Sequence, residues 1–96
     1  MSLPIYWTPT AKDNYANLLN IIKEKEGQDV ALLFLDKTEE IIGNIALAPR
    51  GFPSFEQDTR FRIAIITPQT SIIFQVTRVN GRLLYFWDNR NGVSEK

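Results

Sequence analysis

The hydrophobic pattern changes its period part-way along the chain, and this change restricts the fold more than any other feature of the sequence. Up to Ala48, apolar residues recur at helical spacing, whereas β-branched and aromatic residues dominate from Arg60 onward. Helices that precede a run of strands are typical of the α+β class. The 96 residues suffice for one domain, which we expect to cover residues 1–96.

Two helices are predicted in the first half of the chain. A short strand, Leu3–Trp7, precedes the first helix, which Thr10 can cap and Gly27 ends. Asp29 can cap the second helix, which must end before Pro49 because proline disfavours helical conformation in the preceding residue. The short break after Gly27 predicts an antiparallel helical hairpin.

The last third of the chain predicts three strands that follow one another closely. These strands are Arg60–Ile66, Thr70–Val79 and Arg82–Trp87. Asn80-Gly81 lies between the last two and is a strong signal for a two-residue hairpin, because both central positions require a positive φ. The predicted order is therefore β-α-α-β-β-β, with the helical hairpin packed on one face of a small, mainly antiparallel sheet.

Two-residue loops at Pro68-Gln69 and Asn80-Gly81 would divide the strand residues into two faces. The more apolar face, predicted to lie under the helices, carries Phe61, Ile63, Ile65, Ile72, Phe74, Val76, Leu83, Tyr85 and Trp87. The other face carries Arg60, Arg62, Ser71, Ile73, Gln75, Thr77, Arg82, Leu84, Phe86 and Asp88, with Arg90 beyond. The second face mixes arginines with apolar residues, which is typical of a surface that a protein or nucleic acid covers. Burial of Phe86 under the helices would contradict this register, and with it the inference of a partner on the second face.

The composition excludes several classes of chemistry. The chain has no cysteine and no histidine, which excludes disulfides, a thiolate nucleophile, a zinc ribbon and Ser-His catalysis. We find no glycine-rich phosphate loop and no cluster with metal-ligand spacing, and we expect no cofactor and no metal. Any chemistry must come from arginine, lysine, tyrosine, carboxylates or hydroxyls.

The net charge of zero hides a difference between the halves. Residues 1–48 carry four lysines and seven acidic residues, a balance of −3, and residues 49–96 carry seven basic and four acidic residues, a balance of +3. All six arginines lie in the second half, which indicates an anionic partner for one side of the fold. The alternative is that helices use lysine and strands use arginine without further meaning.

No targeting or membrane segment is predicted. The start of the chain lacks a basic leader with an apolar stretch. The longest unbroken apolar run, Ala31–Leu35, is far too short to span a bilayer. We expect a cytoplasmic protein that does not contact a membrane.

Five segments, in order and spacing, resemble the RelE/ParE superfamily of toxins from type II toxin–antitoxin modules, which include plasmid stabilisation proteins. They are Tyr6–Ala11, Leu47–Pro49, Arg60–Arg62, Ile73–Val76 and Leu84–Arg90. The resemblance implies a cytoplasmic toxin that a small cognate antitoxin wraps with a helix and an extended tail. RelE-like members cleave mRNA in the ribosomal A site without a metal, by activating the ribose 2′-hydroxyl. ParE-like members poison DNA gyrase and are not nucleases.

Three departures from the RelE-like pattern favour a ParE-like inhibitor of gyrase that acts by protein binding. Ser71 stands where RelE-like nucleases place an arginine, and neither tyrosine nor histidine follows Arg90. A neutral chain is also poorly suited to gripping ribosomal RNA. Whether the chain is an enzyme is left open. The alternatives are a RelE-like, metal-independent endoribonuclease with ribosome-bound mRNA as target, and a non-toxic remnant that only binds its antitoxin.

Arg90 is the candidate catalytic residue, since the resemblance puts a phosphate-facing arginine at this position. A fixed guanidinium can stabilise charge on a scissile phosphate; the alternative is a local pair with Asp88 or Glu95. The candidate partner- or phosphate-binding residues are Arg60, Arg62, Gln75, Arg82 and Phe86. Their arginines could hold phosphates or antitoxin carboxylates by bidentate bonds, or they could only cover the sheet with their stems. Tyr85 and Trp87 are predicted to be core residues.

Overall fold

The chain forms two helices on one face of a mixed sheet, as the change of period predicts. The computed structural model describes residues 2–89 and 92–93, with the side chains described up to Asn89. Its elements are β1 (Ile5–Trp7), α1 (Pro9–Glu26), α2 (Gln28–Leu47), a 3-10 turn (Pro49–Gly51), β2 (Ser54–Phe55), β3 (Asp58–Thr67), β4 (Thr70–Val76), β5 (Gly81–Asp88) and β6 (Gly92–Val93). The α+β class and the helical hairpin are therefore confirmed. No helix among the described residues is both long and apolar enough to cross a membrane.

The sheet has the order β1-β5-β4-β3-β2, and β6 also pairs with β5. β1 runs parallel to β5, while every other pairing is antiparallel. The first and last of the predicted strands therefore lie side by side. The two-residue strands β2 and β6 were not predicted, because runs this short carry no periodic signal.

The first helix is capped by Thr8 rather than by the predicted Thr10. The Thr8 hydroxyl accepts a hydrogen bond from the amide of Ala11 at 3.2 Å, and Pro9 occupies the first helical position, where its missing N–H costs nothing. The second helix begins directly after Gly27, whose φ of 101° is a conformation that glycine adopts without strain.

The predicted two-residue loop at Asn80-Gly81 is wrong. β4 ends at Val76, which pairs with Gly81, so four residues connect the strands. Thr77 holds this connection together, since its hydroxyl donates to the Asn80 side-chain oxygen at 2.7 Å and accepts from the Asn80 amide at 2.9 Å. The loop has two residues more than predicted. Because side chains alternate with a period of two, this even difference does not change the face on which the adjacent residues lie, and Gln75 still shares a face with Arg82.

Two β-bulges reverse the predicted facing of the remaining strand residues. One lies in β3 at Ile66, and the other lies in β5 at Leu84, opposite the step from Ile73 to Phe74. Each bulge adds one residue to one strand and so exchanges the faces of all residues beyond it. Three residues predicted for the helix side of β3, and two predicted for the helix side of β5, lie on the other face. They are Phe61, Ile63, Ile65, Tyr85 and Trp87.

Phe86 lies in the core, and the prediction that it contacts a partner is wrong. Its side chain has no exposed surface, and its ring stacks on Tyr15 at 4.8 Å and on Trp7 at 5.9 Å between ring centres. The other buried apolar residues of this cluster are Ala11, Phe34, Ile45, Ala64, Ile66, Ile72, Phe74 and Leu83. The cause is the bulge at Leu84, which turns Phe86 towards the helices.

The start of α1 supplies hydrogen-bond partners for β5 around its bulge. The Thr8 hydroxyl donates to the carbonyl of Leu83 at 2.7 Å, and the amide of Phe86 donates to the side-chain oxygen of Asn14. An unpaired buried backbone group costs about 1–3 kcal/mol. These two side chains therefore stabilise the bulged register and the burial of Phe86 that depends on it.

The substitution Phe86→Ala should lower the free energy of unfolding by about 3–5 kcal/mol, because it leaves a cavity beneath both stacked rings. Urea denaturation of the purified protein measures this loss. Val79→Ala is the matched control, since the Val79 side chain is 72 % exposed in a loop, and it should change the free energy by no more than about 0.5 kcal/mol. A near-neutral Phe86→Ala would contradict the bulged register.

Candidate functional site

The sheet face opposite the helices carries three rows of side chains, which together we call the open face. The first row is Phe61, Gln75, Arg82 and Tyr6; the second is Ile63, Ile73 and Tyr85; the third is Ile65, Ser71 and Trp87. Their strand neighbours, such as Phe74 and Leu83, lie in the core under the helices. The open face is therefore a second side-chain layer that no element of the described chain covers fully.

The first row joins four strands and holds two cation–π contacts. The guanidinium of Arg82 lies 5.3 Å from the centre of the Tyr6 ring, and that of Arg60 lies 5.5 Å from the centre of the Phe61 ring. Arg82 has no acidic partner among residues 2–89, and its Nε is buried without a hydrogen-bond partner there. The row therefore presents one cation with its charge uncompensated and its side chain already supported by a ring.

The second and third rows are apolar and aromatic. The rings of Tyr85 and Trp87 lie 6.1 Å apart, and both side chains are half-buried. Ile65 is 64 % exposed beside them. Ser71 is fully buried and donates a hydrogen bond to the side chain of Asn89 at 2.9 Å. The side chains of these two rows offer contact area and carry no charge themselves.

The turn between β2 and β3 folds onto this apolar region. Glu56 and Gln57 both have a positive φ, 53° and 67°, which closes a two-residue turn between Phe55 and Asp58. The Phe55 ring lies edge-on to Trp87 at 5.4 Å, although two strands separate β2 from β5. Because adjacent strands lie ~4.8 Å apart, the two rings lie closer together than the backbones of their strands, so Phe55 reaches over the open face.

Tyr85 does not have the properties of a general base. Its burial, and to a smaller extent the negative charge of Glu56, raise its pKa above the ordinary value of 10.0. A phenol with a raised pKa holds its proton more firmly at neutral pH. No group of three or more histidine, cysteine, aspartate or glutamate side chains in the described residues could hold a metal ion.

The predicted arginine cluster is divided among different roles. Arg60 is exposed and forms a two-point pair with Asp58, at 3.2 and 2.9 Å, which lowers the pKa of that carboxyl group. Arg62 does not lie on the open face, because the bulge at Ile66 turns it to the helix side. There its Nη1 donates to the carbonyl of Phe52 at 2.7 Å. Arg62 therefore fixes the connection that follows α2.

The remaining predicted site residues have separate outcomes. Gln75 and Arg82 both lie on the face away from the helices, as expected, and the longer loop makes them cross-strand neighbours. Phe86 is in the core, and Arg90 lies outside the described residues. Sequence reasoning did not select Tyr6 or Phe61 for the site and assigned Tyr85 and Trp87 to the core. Alternation within β1 was a usable signal for Tyr6, because its neighbours Ile5 and Trp7 pack on the core.

The raised pKa of Tyr85 gives a test of the turn between β2 and β3. The folded state favours the neutral phenol, so this contribution to stability is complete below pH ~10 and is lost as pH rises through the raised pKa. Glu56→Gln should bring the pKa of Tyr85 closer to its ordinary value but not reach it, since burial is the larger cause. A carbon-13 NMR titration of the Tyr85 ring measures the pKa in the unmodified protein and in the Glu56→Gln variant. Glu40→Gln, on the exposed surface of α2, should leave it unchanged; an unaltered pKa in Glu56→Gln would contradict the folded-over turn.

Arg62→Met should lower the free energy of unfolding by about 1–3 kcal/mol, since the carbonyl of Phe52 loses a charged donor. Thermal or urea denaturation measures the change. Arg60→Met removes the same charge from an exposed pair and should have a much smaller effect. Equal effects of the two substitutions would show that Arg62 has no special structural contribution.

No protein-family model and no curated protein sequence matches the chain, but solved structures do. A structure of the chromosomal ParDE TA system from P. aeruginosa is similar with a TM-score of 0.74 and 16 % identity, over 88 % of this chain and 94 % of that one. The YoeB dimer from Staphylococcus aureus is similar with a TM-score of 0.63 and 12 % identity, over 88 % of this chain and 94 % of that one. The E. coli DinJ-YafQ toxin-antitoxin complex is similar with a TM-score of 0.57 and 12 % identity, over 97 % of this chain and 93 % of that one. The resemblance found in the sequence is thus confirmed in three dimensions: this chain has the fold of the RelE/ParE toxins.

Proposed function

We propose that this chain is the toxin of a type II toxin–antitoxin pair. In this proposal it is a cytoplasmic protein that a cognate antitoxin neutralises, and it inhibits DNA gyrase by binding, in the ParE manner. The fold supports the toxin role, since similar structures include the ParDE TA system and the DinJ-YafQ toxin-antitoxin complex. The composition of the open face supports binding as its mode of action.

The observation that carries the proposal is the aromatic surface of the open face. Tyr6 is 45 % exposed and Ile65 is 64 % exposed, and half-buried Tyr85 and Trp87 lie between them. Tyrosine, tryptophan and arginine dominate the energetics of protein–protein interfaces, where they form clusters surrounded by weaker contacts. A face of this composition is suited to a protein partner.

Chemical requirements argue against cleavage of RNA by the described residues. Cleavage needs a base for the ribose hydroxyl and a set of cations around the scissile phosphate. Tyr85 has a raised pKa, and Ser71 is buried and bonded to Asn89. Arg60 is paired with Asp58 and Arg62 is bonded to Phe52, so Arg82 is the one cation that the described part of the open face offers to a phosphate.

The second candidate is a RelE-like, metal-independent endoribonuclease acting on ribosome-bound mRNA. The stacking of Arg82 on Tyr6 favours it, because a cation beside an exposed ring suits a phosphate and a base of single-stranded RNA. In this candidate, Arg90 stabilises the charge on the scissile phosphate, with Arg60, Gln75 and Arg82 as binding residues. A chain that only binds its antitoxin is the third possibility.

Purified protein should inhibit DNA supercoiling by gyrase, and its induction in cells should arrest growth while messenger RNA stays intact. Ile65→Lys should weaken gyrase inhibition at least tenfold, since it puts a charge into the apolar part of the proposed interface. Val79→Lys is the matched control, because Val79 is equally aliphatic and exposed but lies in the loop before β5. Supercoiling assays over a protein concentration series measure both variants.

Two outcomes would contradict gyrase inhibition, and a third would contradict its assignment to the open face. Prompt cleavage of mRNA that Arg90→Ala abolishes would establish the nuclease instead. Normal growth after induction, with gyrase unaffected, would leave a non-toxic antitoxin-binding protein. Equal loss of gyrase inhibition in Ile65→Lys and Val79→Lys would exclude the open face as the binding surface.

A further inference from the structure

We propose that the row formed by Phe61, Gln75, Arg82 and Tyr6 is a recognition site for a carboxylate in an extended, acidic segment of a partner protein. Arg82 holds the carboxylate, and the two rings receive the apolar side chains that flank it. This inference rests on the proposed function only in taking the partner to be a protein.

The row has the dimensions of a short peptide. Phe61 lies opposite Gln75, Gln75 lies opposite Arg82, and Arg82 lies opposite Tyr6, so the row crosses β3, β4, β5 and β1 at one level. Four adjacent strands span ~14 Å, which an extended chain of about four residues covers. A segment that lies along the row can thus contact all four side chains at once.

The side chain of Arg82 is supported by the Tyr6 ring without any ligand. Its guanidinium lies against the Tyr6 ring, and the burial of its Nε leaves the terminal nitrogens as the donors that face outward. A planar arginine fork that is already held loses little side-chain entropy when it binds a carboxylate. Gln75, the cross-strand neighbour of Arg82, adds an amide that can bond the backbone of an extended peptide.

Charge complementarity favours an anion at this end of the sheet. The described charged residues at the start of β3, in the loop before β5 and at the start of β5 are Asp58, Arg60, Arg78 and Arg82. The carboxylate of Asp58 is committed to Arg60 through two hydrogen bonds. Among these four residues, Arg82 and Arg78 are therefore the charges that no opposite charge offsets, and they attract a negative segment and reject a positive one.

The small number of unpaired arginines among the described residues of the row favours a peptide carboxylate over a nucleic acid as the ligand. Affinity for nucleic acid comes mainly from several simultaneous phosphate contacts, and the row holds one arginine without an acidic partner among the described residues. The residues of β1, α1 and α2 belong to the half of the sequence with a balance of −3, which repels a long polyanion. A single carboxylate between apolar side chains matches one arginine between two rings.

An NMR titration of the nitrogen-15-labelled protein tests this assignment. The probe is the capped peptide acetyl-Leu-Asp-Leu-Asp-Leu-amide, its matched control has asparagine in place of both aspartates, and a short oligothymidylate represents nucleic acid. The acidic peptide should shift the amides of Tyr6, Gln75 and Arg82 and should bind at least tenfold more tightly than the asparagine peptide. Absence of binding, or tighter binding of the oligothymidylate at the same amides, would overturn the proposal.

Two arginine variants separate a specific site from general attraction. Arg82→Gln should abolish the preference for the acidic peptide, whereas Arg78→Gln, which removes the same charge from an exposed loop residue outside the row, should change the affinity less than twofold. Equal losses in both variants would overturn the assignment to Arg82. The amide spectrum of each variant confirms that it is folded.

The outcome is independent of the test for gyrase inhibition. A chain that binds the acidic peptide through Arg82 but neither inhibits gyrase nor arrests growth contradicts the proposed function and supports this site. A chain that inhibits gyrase but does not bind the peptide contradicts this site alone.

Discussion

The hydrogen bonds between the start of α1 and the backbone of β5 are the interaction on which the rest of the structure depends. The bulge at Leu84 removes β5 from a regular ladder, and Thr8 and Asn14 supply the partners that the neighbouring backbone groups need. With these bonds made, Phe86 stacks on Tyr15 beneath the helices. The same geometry sends Tyr85 and Trp87 to the opposite face. The hydrogen bonds from Thr8 and Asn14 to β5 thus determine which aromatic residues form the core and which form the open face.

The fold class could be predicted because it depends on signals that act locally. Helical periodicity, the break at Gly27 and the stop at Pro49 fixed the hairpin, and a change to β-branched residues fixed the strands. The facing of the strands could not be predicted, because both bulges lie in doubly apolar pairs, Ile65-Ile66 and Leu83-Leu84. Where two consecutive residues are both apolar, either of them can face the core. The hydrophobic pattern then does not distinguish a regular register from one shifted by a single residue.

The candidate site was predictable only where no bulge intervened. Gln75 of β4 and Arg82 of β5 lie next to the connection between these strands, on the same side of the bulge, and so their shared face followed from simple alternation. Arg62 lies on the far side of the bulge at Ile66 and was assigned to the wrong face. The arginines of the second half also have unequal roles: one pairs with an aspartate, one bonds a backbone carbonyl and one lies on a tyrosine ring. The number and order of charges along the sequence do not show which arginine has which of these roles.

The exchange of aromatic residues between the two faces has a spectroscopic consequence. The chain has two tryptophans, and they lie on opposite sides of the sheet. Trp7 stacks on Phe86 in the core, so its emission depends on whether the interior is assembled. Trp87 lies on the open face against Phe55, so its emission depends on what occupies that surface. The protein thus contains one intrinsic fluorophore that reports on the core and a second that reports on the open face, on opposite sides of a single sheet.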